Sequence, residues 1–104
     1  MATRAIINDM RDFVKRVNSE GVSLKKAVLF GSYANNSQTK YSDIDIALVA
    51  DEFSGLPSED VKLFLKAMRH HYMVQPQTYN TKNFSPAKDP FVAEILKTGI
   101  VIEA

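Results

Sequence analysis

Two short groups in the sequence carry the residue types that phosphate chemistry needs. Gly31-Ser32 ends the apolar run "KKAVLF", and Asp43-Ile44-Asp45 opens the apolar run "IDIALVA". On an extended strand Asp43 and Asp45 project to one face, about 7 Å apart. Carboxylates so placed repel each other unless a cation sits between them. Hard oxygen donors of this kind suit Mg2+, which completes its shell with water and substrate phosphate. Gly-Ser at a strand end supplies the complement: glycine lets a phosphate approach the backbone, the start of a short helix favours anions, and Ser32 adds a hydroxyl donor. Alone, each group is unspecific, since Gly-Ser often marks a turn and Asp-x-Asp a solvated strand entry. Together, with ten residues between Ser32 and Asp43, they supply both halves of a metal–nucleotide site.

Such groups need a scaffold, and the apolar pattern provides one. Ile6, Ile7, Met10, Phe13, Val14 and Val17 recur at helical spacing, which predicts a helix over 3–19 that Gly21 ends in the left-handed conformation. The runs 25–30 and 44–50 predict strands. In the second, Ala47 and Val49 lie on one face and Ile44, Ile46 and Leu48 on the other, the pattern of a central strand covered on both sides. Residues 53–57, "FSGLP", read as a loop. Ser58 is then expected to cap a second helix, with Glu59 and Asp60 near its positive end and Val61, Phe64, Leu65 and Met68 as its buried stripe.

Further on, "YMVQPQTYN" (72–80) predicts a strand whose Pro76 has no amide for a ladder, which places it at an edge or a bulge. Asp89-Pro90 predicts the cap and first turn of a third helix, with Phe91, Ile95 and Leu96 facing inward and Gly99 at its end. "IVIEA" closes the chain as a strand. The order helix, strand, strand, helix, strand, helix, strand predicts a small α/β sheet domain.

At 104 residues the chain reads as a single domain, 1–104, with one core. It is 45% hydrophobic and 24% charged with a net charge of +1. That balance argues against disorder and against a nucleic-acid binder that works by phosphate neutralisation. Absence of cysteine excludes disulfides and thiolate metal sites. The opening "MATRAIINDMRDF" is too frequently charged for a signal peptide, and no apolar run reaches membrane-spanning length. The expectation is a cytoplasmic protein without a membrane partner.

The residues "LFGSYA…SDIDIALV" resemble the minimal nucleotidyltransferases of the DNA-polymerase-β-like superfamily, in particular the toxin–antitoxin members, whose signature is Gly-Ser, ten residues, Asp-x-Asp. The leading helix before "KKAVLFGS" and the closing "DPFVAEILKTGIVIEA" are similar to the family's terminal elements, so the resemblance covers nearly the whole chain. It implies an α+β fold of palm type, a small mixed sheet packed by helices. Gly31 and Ser32 would hold the triphosphate, and Asp43 and Asp45 would act as catalytic ligands of one or two Mg2+ ions. The implied reaction transfers a nucleoside monophosphate, AMP from ATP, to an acceptor hydroxyl. The chain has little room for an acceptor-binding subdomain, so the implied acceptor is a side chain of a partner protein, on the family's pattern a tyrosine of a helical HEPN-type toxin.

Departures from the pattern weigh against full activity. The strand expected to supply a third carboxylate reads "MVQPQTY", which puts Gln75 in that position; an amide brings no negative charge and takes no proton, and Gln77 on the same face has the same limitation. Asp51, Glu52, Glu59 and Asp60 read as solvated surface charge. Asn35-Asn36 stands where relatives often have Arg-Gly; Lys40 could substitute electrostatically, although a lysine in a polar loop is usually just exposed. His70-His71 lacks further histidines for a zinc site, and Tyr33, Tyr41 and Tyr72 are candidates to stack a base, although aromatics near strand ends are more often core or rim. The rival expectation is a catalytically impaired nucleotide-binding or protein-docking module of antitoxin type.

Overall fold

The computed structural model describes residues 3–103. Helix α1 (Arg4–Ser19) starts at Thr3, whose hydroxyl accepts the Ile6 amide, and buries Met10, Phe13, Val14 and Val17. The chain turns at Gly21 (φ +94) into β1 (Leu24–Phe30). The loop beyond leads to β2 (Ile44–Ala50), whose bounds coincide with the apolar run read from the sequence. Helices α2 (Pro57–Asp60) and α3 (Leu65–His70) are joined by a tight helical turn, and β3 (Val74–Asn80), α4 (Pro90–Thr98) and β4 (Ile100–Val101) follow.

The four strands form one mixed sheet in the order β3-β2-β1-β4. Strand β1 runs antiparallel to β2 and β4, and β3 runs parallel to β2. Strand alternation sorts the side chains. Ala27 and Leu29 of β1, with Ile44, Ile46, Leu48 and Ala50 of β2, join α1 and α3 in the larger core. There Phe13 meets the Phe64 ring edge-on, and Phe53 packs against Phe64 with its ring tilted. Val28 and Ala47 point to the opposite face, where Ile95 of α4 covers them. Burial of β2 on both faces fits its apolar composition, and Pro76 lies on the edge strand, as its missing amide requires.

Three local expectations fail. The predicted second helix is broken at Phe64 (φ −140, ψ 46), so Leu65 swings outward to 48% exposure while Phe64 and Ala67 fill the core. Ser58 is not its cap: Leu56 precedes Pro57 at the first helical position, and Ser58 falls inside the turn. In α4 the buried residues are Val92 and Ile95, with Phe91 and Leu96 on the outside. The Asp89 cap is present, its Oδ1 accepting the Phe91 amide at 2.9 Å.

Asp60 corrects a fourth expectation. It is only 3% exposed, not a solvated charge. Its carboxylate accepts the Ser54 amide and hydroxyl at 2.8 and 3.0 Å, the Gly55 amide at 2.9 Å and the Thr78 hydroxyl at 2.6 Å. Burial pushes this carboxyl up, but the four donors outweigh it and hold it below the usual carboxylate range. Asp60 thereby ties the loop after β2 to β3.

Candidate active site

The ends of β1, β2 and β3 that meet at one edge of the sheet carry the residues singled out above. Phe30, the last residue of β1, pairs with Asp45 in β2, and Asp45 in turn pairs with Gln75 in β3. Directly after Phe30 the backbone enters the left-handed region at Gly31 (φ +74), a conformation that costs glycine little and other residues more. Glycine is also required by space. A Cβ on Gly31 would collide with Oδ2 of Asp45 and sit 3.3 Å from its Cγ. The turn is thus seated on the Asp45 carboxylate.

Residues Gly31–Tyr33 form a single tight helical turn closed by the Ala34 and Asn35 amides, which donate to the Gly31 carbonyl at 3.1 and 3.3 Å. As at any helix start, the first amides have no partner within the turn. Among the described residues, the Ser32 and Tyr33 amides and the Ser32 hydroxyl make no hydrogen bond as donors. The loop is knitted beyond this point: the Ser37 amide donates to the Ser32 carbonyl at 3.0 Å, Asn36 takes φ +61, and the Thr39 amide donates to the Ser42 hydroxyl at 2.9 Å. The free donors therefore belong to a braced segment.

Asp43 is exposed just ahead of β2, and Asp45 is half-buried. Burial, with the Asp43 charge added, pushes the Asp45 carboxyl up. Among the described residues no lysine, arginine or histidine forms an ion pair with either aspartate. Two adjacent carboxylates with no cationic partner form a donor set that a divalent cation would complete. Gln75 is level with Asp45 and exposed, and Gln77 is half-buried two residues on. No group of three or more acidic, histidine or cysteine side chains among the described residues could hold a metal ion. The edge offers two carboxylates and an amide.

The remaining sequence candidates lie elsewhere or in secondary roles. Lys40 places its Nζ 5.1 Å from the centroid of the Tyr41 ring. Tyr41 and Tyr72 are exposed, and Tyr33 packs against the larger core. His71 follows α3 as its C-cap, with its Nε2 2.8 Å from Asp12 Oδ2 and its ring edge-on to Phe13. The same Asp12 oxygen accepts the Arg16 Nε–H at 2.7 Å, and this Arg16 bond, followed by His71, holds the Asp12 carboxyl below its usual range. This cluster fastens α3 to α1. The i, i+4 spacing is a local signal for Asp12–Arg16; nothing local marks the link to His71, 59 residues away.

The sequence pattern of the family described as polymerase beta, nucleotidyltransferase, matches residues 13–103. No curated protein matches the chain. A crystal structure of a candidate nucleotidyltransferase from Sulfolobus solfataricus superposes with a TM-score of 0.59 at 18% identity, covering 91% of this chain and 77% of that one. At that identity the likeness is one of fold: the mixed sheet with helices on both faces.

Proposed function

The chain belongs to the polymerase beta nucleotidyltransferase family, and from that premise we propose that it transfers a nucleoside monophosphate, AMP from ATP, to an acceptor hydroxyl with release of pyrophosphate. The observation that carries this reading is the seating of the Gly31 turn on the Asp45 carboxylate. It brings unpaired amide donors and a repelling pair of carboxylates to one edge of the sheet. Ser32 and Tyr33 would donate their amides to triphosphate oxygens, and the Ser32 hydroxyl would add a third donor. Asp43 and Asp45 would hold Mg2+, one ion or two, which when bound supplies neutralisation of the charge that builds as pyrophosphate leaves. The unpaired carboxylates support that fit, and the Asp43 charge adds to burial in raising the Asp45 pKa.

In the transfer itself, the acceptor oxygen bonds to the α-phosphorus while the bond from that phosphorus to the pyrophosphate oxygen breaks. The braced turn contributes by fixing the triphosphate against the acceptor, so that less freedom is lost at the moment of reaction. Gln75 can accept a hydrogen bond from the acceptor hydroxyl through its amide carbonyl, but it cannot take the proton, which passes to solvent. The resemblance to toxin–antitoxin nucleotidyltransferases supports a partner-protein tyrosine, on a helical HEPN-type protein, as the acceptor.

A second reading has one specific observation in its favour: the amide of Gln75 stands level with Asp45, where a third carboxylate is expected. On that reading the chain holds the nucleotide and docks to a partner without transfer. Incubation with Mg2+, α-labelled ATP and lysate separates the two. The enzyme reading expects label transfer by wild type and none by Asp43→Asn. Transfer by Gln75→Asp alone would establish the docking module, and failure of all three proteins to bind Mg2+–ATP would overturn both.

A further inference from the structure

A pocket of about 300 Å3 opens between the Gly31 turn and α4. Phe30, Gly31 and Asn35 wall one side, and Phe91, Glu94 and Thr98 the other. Positions 91, 94 and 98 recur at the spacing of one helix face, so α4 presents a continuous wall to the turn. The Phe30 and Phe91 rings meet edge-to-face with centroids 5.7 Å apart, and Phe91 stays 48% exposed. This explains why Phe91 faces outward: it lines the pocket instead of the core. Glu94 is exposed, and among the described residues its carboxylate makes no ion pair or hydrogen bond. It is the one charged side chain in the lining.

Gly31 belongs to this pocket and also abuts Asp45, so the pocket and the proposed phosphate site share a wall. Of the parts of a nucleoside triphosphate, the phosphates are repelled by Glu94. The base is flat and partly apolar, suits an aromatic wall, and lies one ribose away from the α-phosphate. A carboxylate accepts hydrogen bonds and cannot donate them. It therefore favours an amino group and opposes a carbonyl oxygen at the edge that it meets.

From these contacts we infer that the pocket receives the nucleobase and that Glu94 selects bases with an exocyclic amino group over their oxo counterparts. The inference rests on the reading that the turn and the two aspartates hold the Mg2+–triphosphate. ATP against ITP, and CTP against UTP, exchange an amino for an oxo group at one ring position. The oxo partner also gains a donor N–H on the adjacent ring nitrogen, so the comparison reads whether the carboxylate meets the exocyclic group. Calorimetric titration of the full chain with each nucleotide and Mg2+ is expected to show ATP and CTP bound about tenfold or more tighter than ITP and UTP, the size of one hydrogen bond to a charged group. In Glu94→Ala both ratios should fall to about one, while Phe91→Ala should weaken all four by a similar factor, about tenfold for a lost stacking surface. Both side chains are exposed, so melting temperatures near wild type are expected.

Equal affinities within each pair, or ratios unchanged in Glu94→Ala, would overturn the base pocket. If Asp43→Asn still abolished binding in that case, the proposed function would stand without it. Binding of all four that ignores both Mg2+ and Asp43→Asn, or no binding at all, would remove both readings together.

Discussion

Replacing Gly31 by alanine should cost more in the wild-type chain than in an Asp45→Ala background. Two penalties are separable. The first is backbone strain at φ +74, about 1–2 kcal/mol for a residue with a Cβ, and it persists in either background. The second is the collision of the new Cβ with Oδ2 of Asp45. That oxygen is the end of a side chain, so the carboxylate turns aside instead of the backbone, an off-rotamer cost of about 0.5–1.5 kcal/mol. With the carboxylate deleted, the nearest remaining atom of residue 45 is its Cβ at 3.4 Å, an ordinary contact. Urea denaturation should therefore give losses of about 1.5–3.5 kcal/mol for Gly31→Ala alone and about 1–2 kcal/mol beside Asp45→Ala. The difference, about 0.5–1.5 kcal/mol, is the coupling between turn and carboxylate. Additive losses, with coupling below about 0.3 kcal/mol, would show that the turn does not rest on Asp45.

Three further outcomes follow from the carboxylates. Asp45 has a folded pKa raised above 3.8 by burial and by Asp43. Its contribution is therefore fully present below the unfolded value and is lost as pH rises through the folded one. Without divalent ions, Asp45→Asn should melt higher relative to wild type at pH 7 than at pH 3, and an equal difference at both would refute the raised Asp45 pKa. Asp60 has the opposite sign: its folded pKa lies below 3.8, so its contribution is present above that value and lost as pH falls through the folded one. Asp60→Ala leaves the Ser54, Gly55 and Thr78 donors unmatched and should lower stability by about 2–4 kcal/mol in neutral denaturant titrations. That deficit should narrow in acid; a deficit that stays constant with pH would deny the charge its role.

The central strand and the leading helix were legible because their apolar patterns are long and unambiguous. Residues 44–50 are apolar on both faces, and 3–19 repeat at helical spacing. The helix after "FSGLP" was less so. Its stripe is regular in sequence, but Phe64 reaches the core through a backbone break that turns Leu65 outward, and no local signal marks the break. In α4, Phe91 and Leu96 are apolar without being core; the helix phase buries Val92 and Ile95 instead, with Ile95 packed on Val28 and Ala47 of the sheet. Asp60 read as surface charge because its donors come from the preceding loop and from β3, which only the fold assembles.

The site was readable as a pair of groups, not as an arrangement. Gly-Ser and Asp-x-Asp name the chemistry, but the contact of Gly31 with Asp45 depends on the antiparallel register that sets Phe30 opposite Asp45. The level of Gln75 depends equally on the parallel register of β3. Glu94 and Phe91 gave no functional signal, since a short helix with one acid and one exposed aromatic is ordinary until it faces the turn.

The most direct test of the account is titration of the chain with Mn2+–ATP, followed by the spin-resonance signal of the ion. One site formed by the Gly31 turn and the aspartate pair predicts binding by wild type that weakens about tenfold or more in both Asp43→Asn and Gly31→Ala. Unchanged affinity in both variants would contradict it.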